Sequence, residues 1–138
     1  MRSISYLPHT ADVRIKLEAD SLQELFVGGA EAISHLLKPR FCKEAEDMSI
    51  WHMIEVKARD TTLLLIDFLS ELLTLCHLEK VIFCDYNIVI LHNNALKATL
   101  KGKPADGFRE DIKAITYHEA DVHKNESGMW ETIIIVDI

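Results

Sequence analysis

The stretch Leu63–Leu78 constrains this chain most. Leu, Ile and Phe dominate it, and the polar residues Asp67, Ser70, Glu71 and Thr74 fall at i, i+3, i+4 and i+7. On a helix that spacing gathers them into one narrow stripe. A helix that is apolar around the rest of its circumference has to be enclosed on several sides. The same residues, with His77, interrupt the run too often for a membrane span. Asp60-Thr61-Thr62 supplies N-cap chemistry, so the helix is expected over about 62–77.

The material to enclose it reads as strands. Val13, Ile15 and Leu17 alternate with Asp12, Arg14, Lys16 and Glu18, a period-2 pattern with one apolar face. Pro8 ahead of it pushes Leu7 toward extended geometry. Ile54, Val56 and Ala58 alternate in the same way. Residues 81–92 and 95–101 flank the turn signal Asn93-Asn94 as a hairpin. Residues 112–123 and 130–138 flank Asn125-Glu126-Ser127-Gly128 as another. Ser21 with Glu24 three residues on is a capping box that opens a helix over 21–37, which stops before Pro39. Gly28-Gly29 inside that helix costs about 1 kcal/mol per glycine against alanine, which points to close packing on a neighbour. Residues 38–48 are expected as a connecting loop. The economical assembly is a single α+β domain over 1–138. It is a two-layer sandwich, with two helices packed on one face of a largely antiparallel (mixed) β-sheet.

The formal net charge is −7. That argues against gripping a nucleic-acid backbone by bulk charge and suits a cation or a basic protein surface. The three cysteines, Cys42, Cys76 and Cys84, are odd in number and lack CxxC spacing. This argues against a disulfide framework or a zinc knuckle and for a reducing compartment. Cys76 and Cys84 read as core, and Cys42 carries no motif. With no basic-then-apolar leader ahead of the first strand, a cytoplasmic protein is expected.

Candidate chemistry centres on acids. Asp12 stands at the mouth of the first strand beside His9, and Asp137 precedes Ile138 at the end of the last. Simple hairpin register sets Asp137 opposite residue 116, a few residues from Asp111. Converging carboxylates repel unless a cation or protons neutralise them, and oxygen-only ligands favour a hard divalent ion. Solvated strand-end acids are the plainer alternative. None of the seven histidines forms an HxH or HxxxH pair, so a histidine-ligated zinc site is not indicated. Tyr117-His118-Glu119 is polar for a strand interior and marks either a partner surface or a solvated face. There is no GxSxG, P-loop or GxGxxG, and no other catalytic motif.

His9-Thr10-Ala11-Asp12, Leu22-Gln23-Glu24-Leu25-Phe26, Leu69-Ser70-Glu71-Leu72-Leu73, Ile112-Lys113-Ala114-Ile115-Thr116-Tyr117-His118 and the final Val136-Asp137-Ile138 together resemble the archease family. The resemblance spans the chain in order. It implies a non-enzymatic protein that activates an RtcB-type RNA ligase in tRNA splicing and RNA repair, by promoting guanylylation of the ligase and its turnover. Contact with RNA would be indirect, and no membrane is involved. It implies a divalent cation, calcium first and magnesium or manganese otherwise. The ligands carried over are Asp12, Asp137 and the main-chain or terminal oxygens of Ile138, with Asp111 and His9 as further ligands or outer-shell groups. Tyr117, His118 and Glu119 would lie on the partner surface. Asp111 is one methylene shorter than the glutamate common in relatives. The alternatives are a general chaperone-like adaptor and a small metal-dependent hydrolase built on His9, Asp12 and His118.

Overall fold

The computed structural model describes residues 12–44 and 48–138, with the side chain of Glu44 excluded. His9, Pro8 and the rest of the N-terminal motif ahead of Asp12 lie outside the described residues. The elements run β1 (Asp12–Ala19), α1 (Leu22–Leu37), α2 (Phe41–Glu44), β2 (Ile50–Lys57), α3 (Thr61–Glu79), β3 (Val81–Leu91), β4 (Ala95–Pro104), β5 (Ala114–Thr116), β6 (His123–Lys124) and β7 (Trp130–Asp137).

The α+β sandwich holds, with every described strand pair antiparallel, but the strands divide into two sheets. One has the order β1-β7-β5, with β6 also on β7, and the other β2-β4-β3. Helices α1 and α3 pack against one another and against both sheets. Helix α3 is the enclosed element that its composition requires. Leu64, Leu65, Ile66, Phe68, Leu69, Leu72 and Cys76 are fully buried. Despite its polar stripe, which spoke against a span, α3 is long and apolar enough to cross a membrane by length and composition alone; here that apolar surface packs inside the fold. Burying one such leucine or isoleucine contributes about 1.5–3 kcal/mol.

Local chemistry starts and stops the helices as the sequence suggests. Ser21 Oγ accepts from Glu24 N at 3.1 Å, and Asp60 Oδ1 accepts from Leu63 N at 2.9 Å. Lys80 closes α3 in the left-handed region at φ 54. The stretch expected to be all loop after α1 contains the short helix α2.

Two expectations fail for a shared reason. Residues 112–123 do not form one strand. Pairing with β7 stops at Thr116 and resumes at His123, and Glu119 between them has φ 65. Asp137 therefore pairs with Ala114, two residues from the position that uniform register gave. The expectation of no disulfide is also corrected, because Cys42 and Cys84 are bonded, 42 residues apart in sequence. The cysteine count then no longer speaks for a reducing compartment. A long-range contact decides each case. The intervening segment 117–122 is tied to α3 by Tyr117 Oη donating to Asp67 and Val122 N donating to Thr62 Oγ1. The disulfide depends on a skip in the β3–β4 ladder. Phe83 faces Gly102 and Asp85 faces Lys101, so Cys84 has no partner on β4. Such a bulge re-aims the extra side chain. The Phe83 carbonyl at this irregularity accepts from Ser34 Oγ at 2.8 Å and from Tyr86 Oη.

The glycine pair in α1 does allow close packing, at one position. A Cβ on Gly29 would meet both Leu69 methyls at 3.2 Å, whereas one on Gly28 would meet only Leu17 at 3.9 Å. At Gly102 a Cβ would lie 2.1 Å from the Ile82 carbonyl oxygen. Chemical denaturation should separate the three. Gly28→Ala raises stability by about 0.5–1 kcal/mol. Gly29→Ala fails to show that gain. Gly102→Ala costs more than about 3 kcal/mol, because backbone rather than a side-chain end has to move.

Candidate functional site

Strands β1 and β7 pair along the whole of β1, and the pairing starts with Asp12 opposite Asp137. Directly opposed residues of an antiparallel pair project from the same face, with Cβ atoms about 4.5–5.5 Å apart. The alternation settles which face. Val13, Ile15 and Leu17 lie opposite Val136, Ile134 and Thr132 and turn toward the helices. Asp12 and Asp137 belong to the other set, with Arg14 opposite Ile135 and Lys16 opposite Ile133. Asp12 is exposed and Asp137 half-buried. The third strand completes the row, with Ala114 beside Asp137. A methyl group there leaves the acids open on that side.

The cations nearby in sequence are engaged elsewhere. Arg14 Nη2 lies 2.8 Å from Glu119 Oε1, and Lys16 Nζ lies 3.8 Å from Glu131 Oε2. Among the described residues, neither Asp12 nor Asp137 forms an ion pair. Two like charges opposite one another disfavour the sheet that holds them, so the pair has an electrostatic use for a cation. The donors suit a hard ion bound by oxygen.

The other candidates divide. Asp111 is exposed in the segment before β5, and Lys113 N two residues on donates to the Asp137 carbonyl at 2.7 Å. Ile138 follows Asp137 directly and is half-buried. No three His, Cys, Asp or Glu side chains among the described residues form a metal-sized cluster, so Asp111 and His118 do not join the pair. Tyr117, His118 and Glu119 are exposed beyond the end of β5 rather than inside a strand. Tyr117 Oη donates to Asp67 Oδ1 at 2.6 Å, and that carboxylate raises the phenol's pKa. Glu119 is bound to Arg14, two residues along β1 from Asp12, so this turn borders the acid pair.

One polar site escaped the sequence reading. A cavity of about 340 Å³ lies between the end of α1, the short helix α2 and β3, with Lys38, Arg40, Lys43 and the Cys42–Cys84 disulfide on its wall. The only trace in the sequence is the clustering of Lys38, Arg40 and Lys43 around Cys42, directly ahead of the acids Glu44, Glu46 and Asp47.

The Archease protein family matches residues 5–138. The chain is 31% identical over 145 residues to "Protein archease" of Pyrococcus abyssi and 31% identical over 147 residues to that of Pyrococcus furiosus, covering all of both chains in each case. Two solved structures share the fold. One is an archease from Thermotoga maritima described as a possible chaperone, with TM-score 0.68 and 17% identity over 100% of this chain and 99% of that one. The other is protein 1598 of Methanobacterium thermoautotrophicum, with TM-score 0.73 and 24% identity over 93% of each chain.

The Arg14–Glu119 pair gives a measurable signature beside the acids. Hydrogen bonding to Arg14 lowers the Glu119 pKa, and the contact is fully solvated. Its small stabilisation is present above the ordinary glutamate pKa and is lost as pH falls through the lowered one. NMR titration should find the Glu119 midpoint below the usual glutamate value. In Arg14→Gln protein it should move back up toward that value, with only the weaker influence of His118 left to lower it.

Proposed function

The chain belongs to the archease family, and on that premise we propose that it is a non-enzymatic protein cofactor of an RtcB-type RNA ligase in tRNA splicing and RNA repair. In this reading it promotes guanylylation of the ligase and repeated turnover, and touches RNA only through its partner. Asp12 and Asp137 hold a divalent cation, calcium first, with Ile138 adding a main-chain oxygen. The observation that supports it is the in-register pair of carboxylates with no cationic partner among the described residues. His9 and Asp111 stay as outer contributors to the ion, and the exposed turn Tyr117–Glu119 as part of the contact surface.

The physical sequence is short. The ion relieves repulsion across the β1–β7 ladder and leaves an edge that carries metal, carboxylates and backbone oxygens. A basic ligase cleft can receive that edge. The acidic protein thereby positions the ion, or keeps the cleft open, while nucleotide enters. Nothing in this sequence of events asks the protein to make or break a bond itself.

A second reading, a chaperone-like adaptor, draws on the outer face of the β2-β4-β3 sheet, where Trp51 and Met53 are exposed. It requires client binding that does not depend on the acids. Both readings meet in one experiment. Ligase guanylylation is measured with wild-type, Asp12→Asn and Asp137→Asn protein, beside thermal unfolding with and without calcium. Loss of stimulation in both variants is the expected result, and stimulation equal to wild type would remove the proposal. Calcium at about a hundredfold over its Kd should stabilise wild type by about 2.7 kcal/mol and leave the variants unmoved. Without calcium, Asp137→Asn should be more stable than wild type by about 0.2–1 kcal/mol, since the like-charge contact is gone.

A further inference from the structure

We propose that the Cys42–Cys84 disulfide is chemically reactive, and that the cavity beside it binds a small anionic thiol that opens it by thiol–disulfide exchange. The inference is separate from the ligase reading. It concerns the β2-β4-β3 sheet and the end of α1, not the β1–β7 edge.

The first observation is charge. The chain carries −7, yet Lys38, Arg40 and Lys43 face this cavity with only Glu31 as a described acid, three positive charges against one negative. His35 joins them on the wall. Lys38 Nζ lies 5.3 Å from the centre of the Phe41 ring, which holds that ammonium at the end of α1. A concave wall with an excess of one sign among its described residues concentrates ligands of the other. At about 340 Å³ the cavity has room for a compact, peptide-sized molecule with carboxylates.

The second observation is the disulfide itself. Both cysteines line the cavity and both are half-buried. Cys84 faces Cys42 because it is the unpaired residue of the β3 bulge. Cysteines react where cations stabilise the thiolate and solvent has access, and are inert where apolar burial disfavours it. The molecule contains the contrast. The third cysteine, Cys76, is fully buried in α3, and burial pushes its thiol pKa up to about 12.

The exchange balances in two steps. The ligand thiolate attacks one sulfur, forms a mixed disulfide with that cysteine and expels the other as a thiolate beside Lys38, Arg40 and Lys43. A second thiolate of the same class attacks the ligand sulfur of the mixed disulfide. It expels the remaining cysteine as a thiolate and leaves as a symmetrical ligand disulfide. Two electrons pass from two thiols to the protein, and each cysteine thiolate takes a proton from solvent. The product has Cys42 and Cys84 as free thiols, with the covalent tie between α2 and β3 removed.

The test uses the oxidised full chain and reduced glutathione, with free thiols followed by alkylation and intact mass. Reduction should pass through a protein–glutathione mixed disulfide. Arg40→Asn with Lys43→Gln should slow it about tenfold, while reduction by uncharged 2-mercaptoethanol changes by less than about twofold. Asn is chosen at position 40 because Arg40 has φ 69, a conformation that Asn tolerates. The neutral thiol reports on access and folding, so the difference between the two thiols isolates charge recognition. Equal slowing of both thiols, no slowing with glutathione, or a disulfide that neither thiol opens would each overturn the inference. Asp12→Asn should leave these rates unchanged, so the fate of the metal proposal does not decide this one.

Discussion

The β1–β7 ladder is the constraint from which the site follows. It runs unbroken from Asp12–Asp137 to Ala19–Trp130. Because side chains alternate across a strand, a slip of one residue would turn Val13, Ile15 and Leu17 to solvent and bring Arg14 and Lys16 inward. The apolar set therefore fixes the register, and the register fixes which acids meet. Opposition of Asp12 and Asp137 is a by-product of core packing that the protein can put to use. Repulsion there is borne by hydrophobic burial elsewhere along the same ladder.

The same logic separates what could be read from the sequence from what could not. Helix α3 was legible because its composition allows only one environment. The caps Ser21 and Asp60 were legible because their chemistry is local. Short connections spoke only for the later hairpins; that the chain's two ends meet was read from the acids they carry, and the antiparallel β1–β7 register itself is a long-range fact. Residues 112–123 misled, since their alternation is strand-like while Tyr117, Val122 and Glu119 are committed to contacts with α3 and β1. No pattern within those residues announces partners fifty or a hundred positions away. The disulfide was hidden twice over, by its sequence separation and by a bulge that turns Cys84 out of its expected alternation. At the candidate site the facing acids were foreseen, while the position of Ala114 beside them depended on where pairing with β5 breaks off.

Two polar regions thus differ in character. The acid pair lies at the end of a partly exposed sheet face, and its donors suit an ion held between the protein and something larger. The cavity beside Cys42 and Cys84 is concave, its described wall carries Lys38, Arg40 and Lys43 against Glu31, and its dimensions suit a small molecule. Sheets β1-β7-β5 and β2-β4-β3 share one core, with α1 and α3 packed on both.

Strand β7 has a further consequence for how the molecule is made. The β2-β4-β3 sheet and α3 come from one continuous stretch, residues 50–104, so their contacts can form while later residues are still emerging from the ribosome. The other sheet has β7 at its centre, and β1, β5 and β6 all depend on it. Since β1 comes first and β7 last among the described elements, the search for that pairing spans nearly the whole chain, the slowest kind of contact to close. The acidic edge is therefore absent from any nascent or shortened chain that lacks β7, even one in which the other sheet has already folded. Biosynthesis itself withholds the site until the polypeptide has been read through to Asp137.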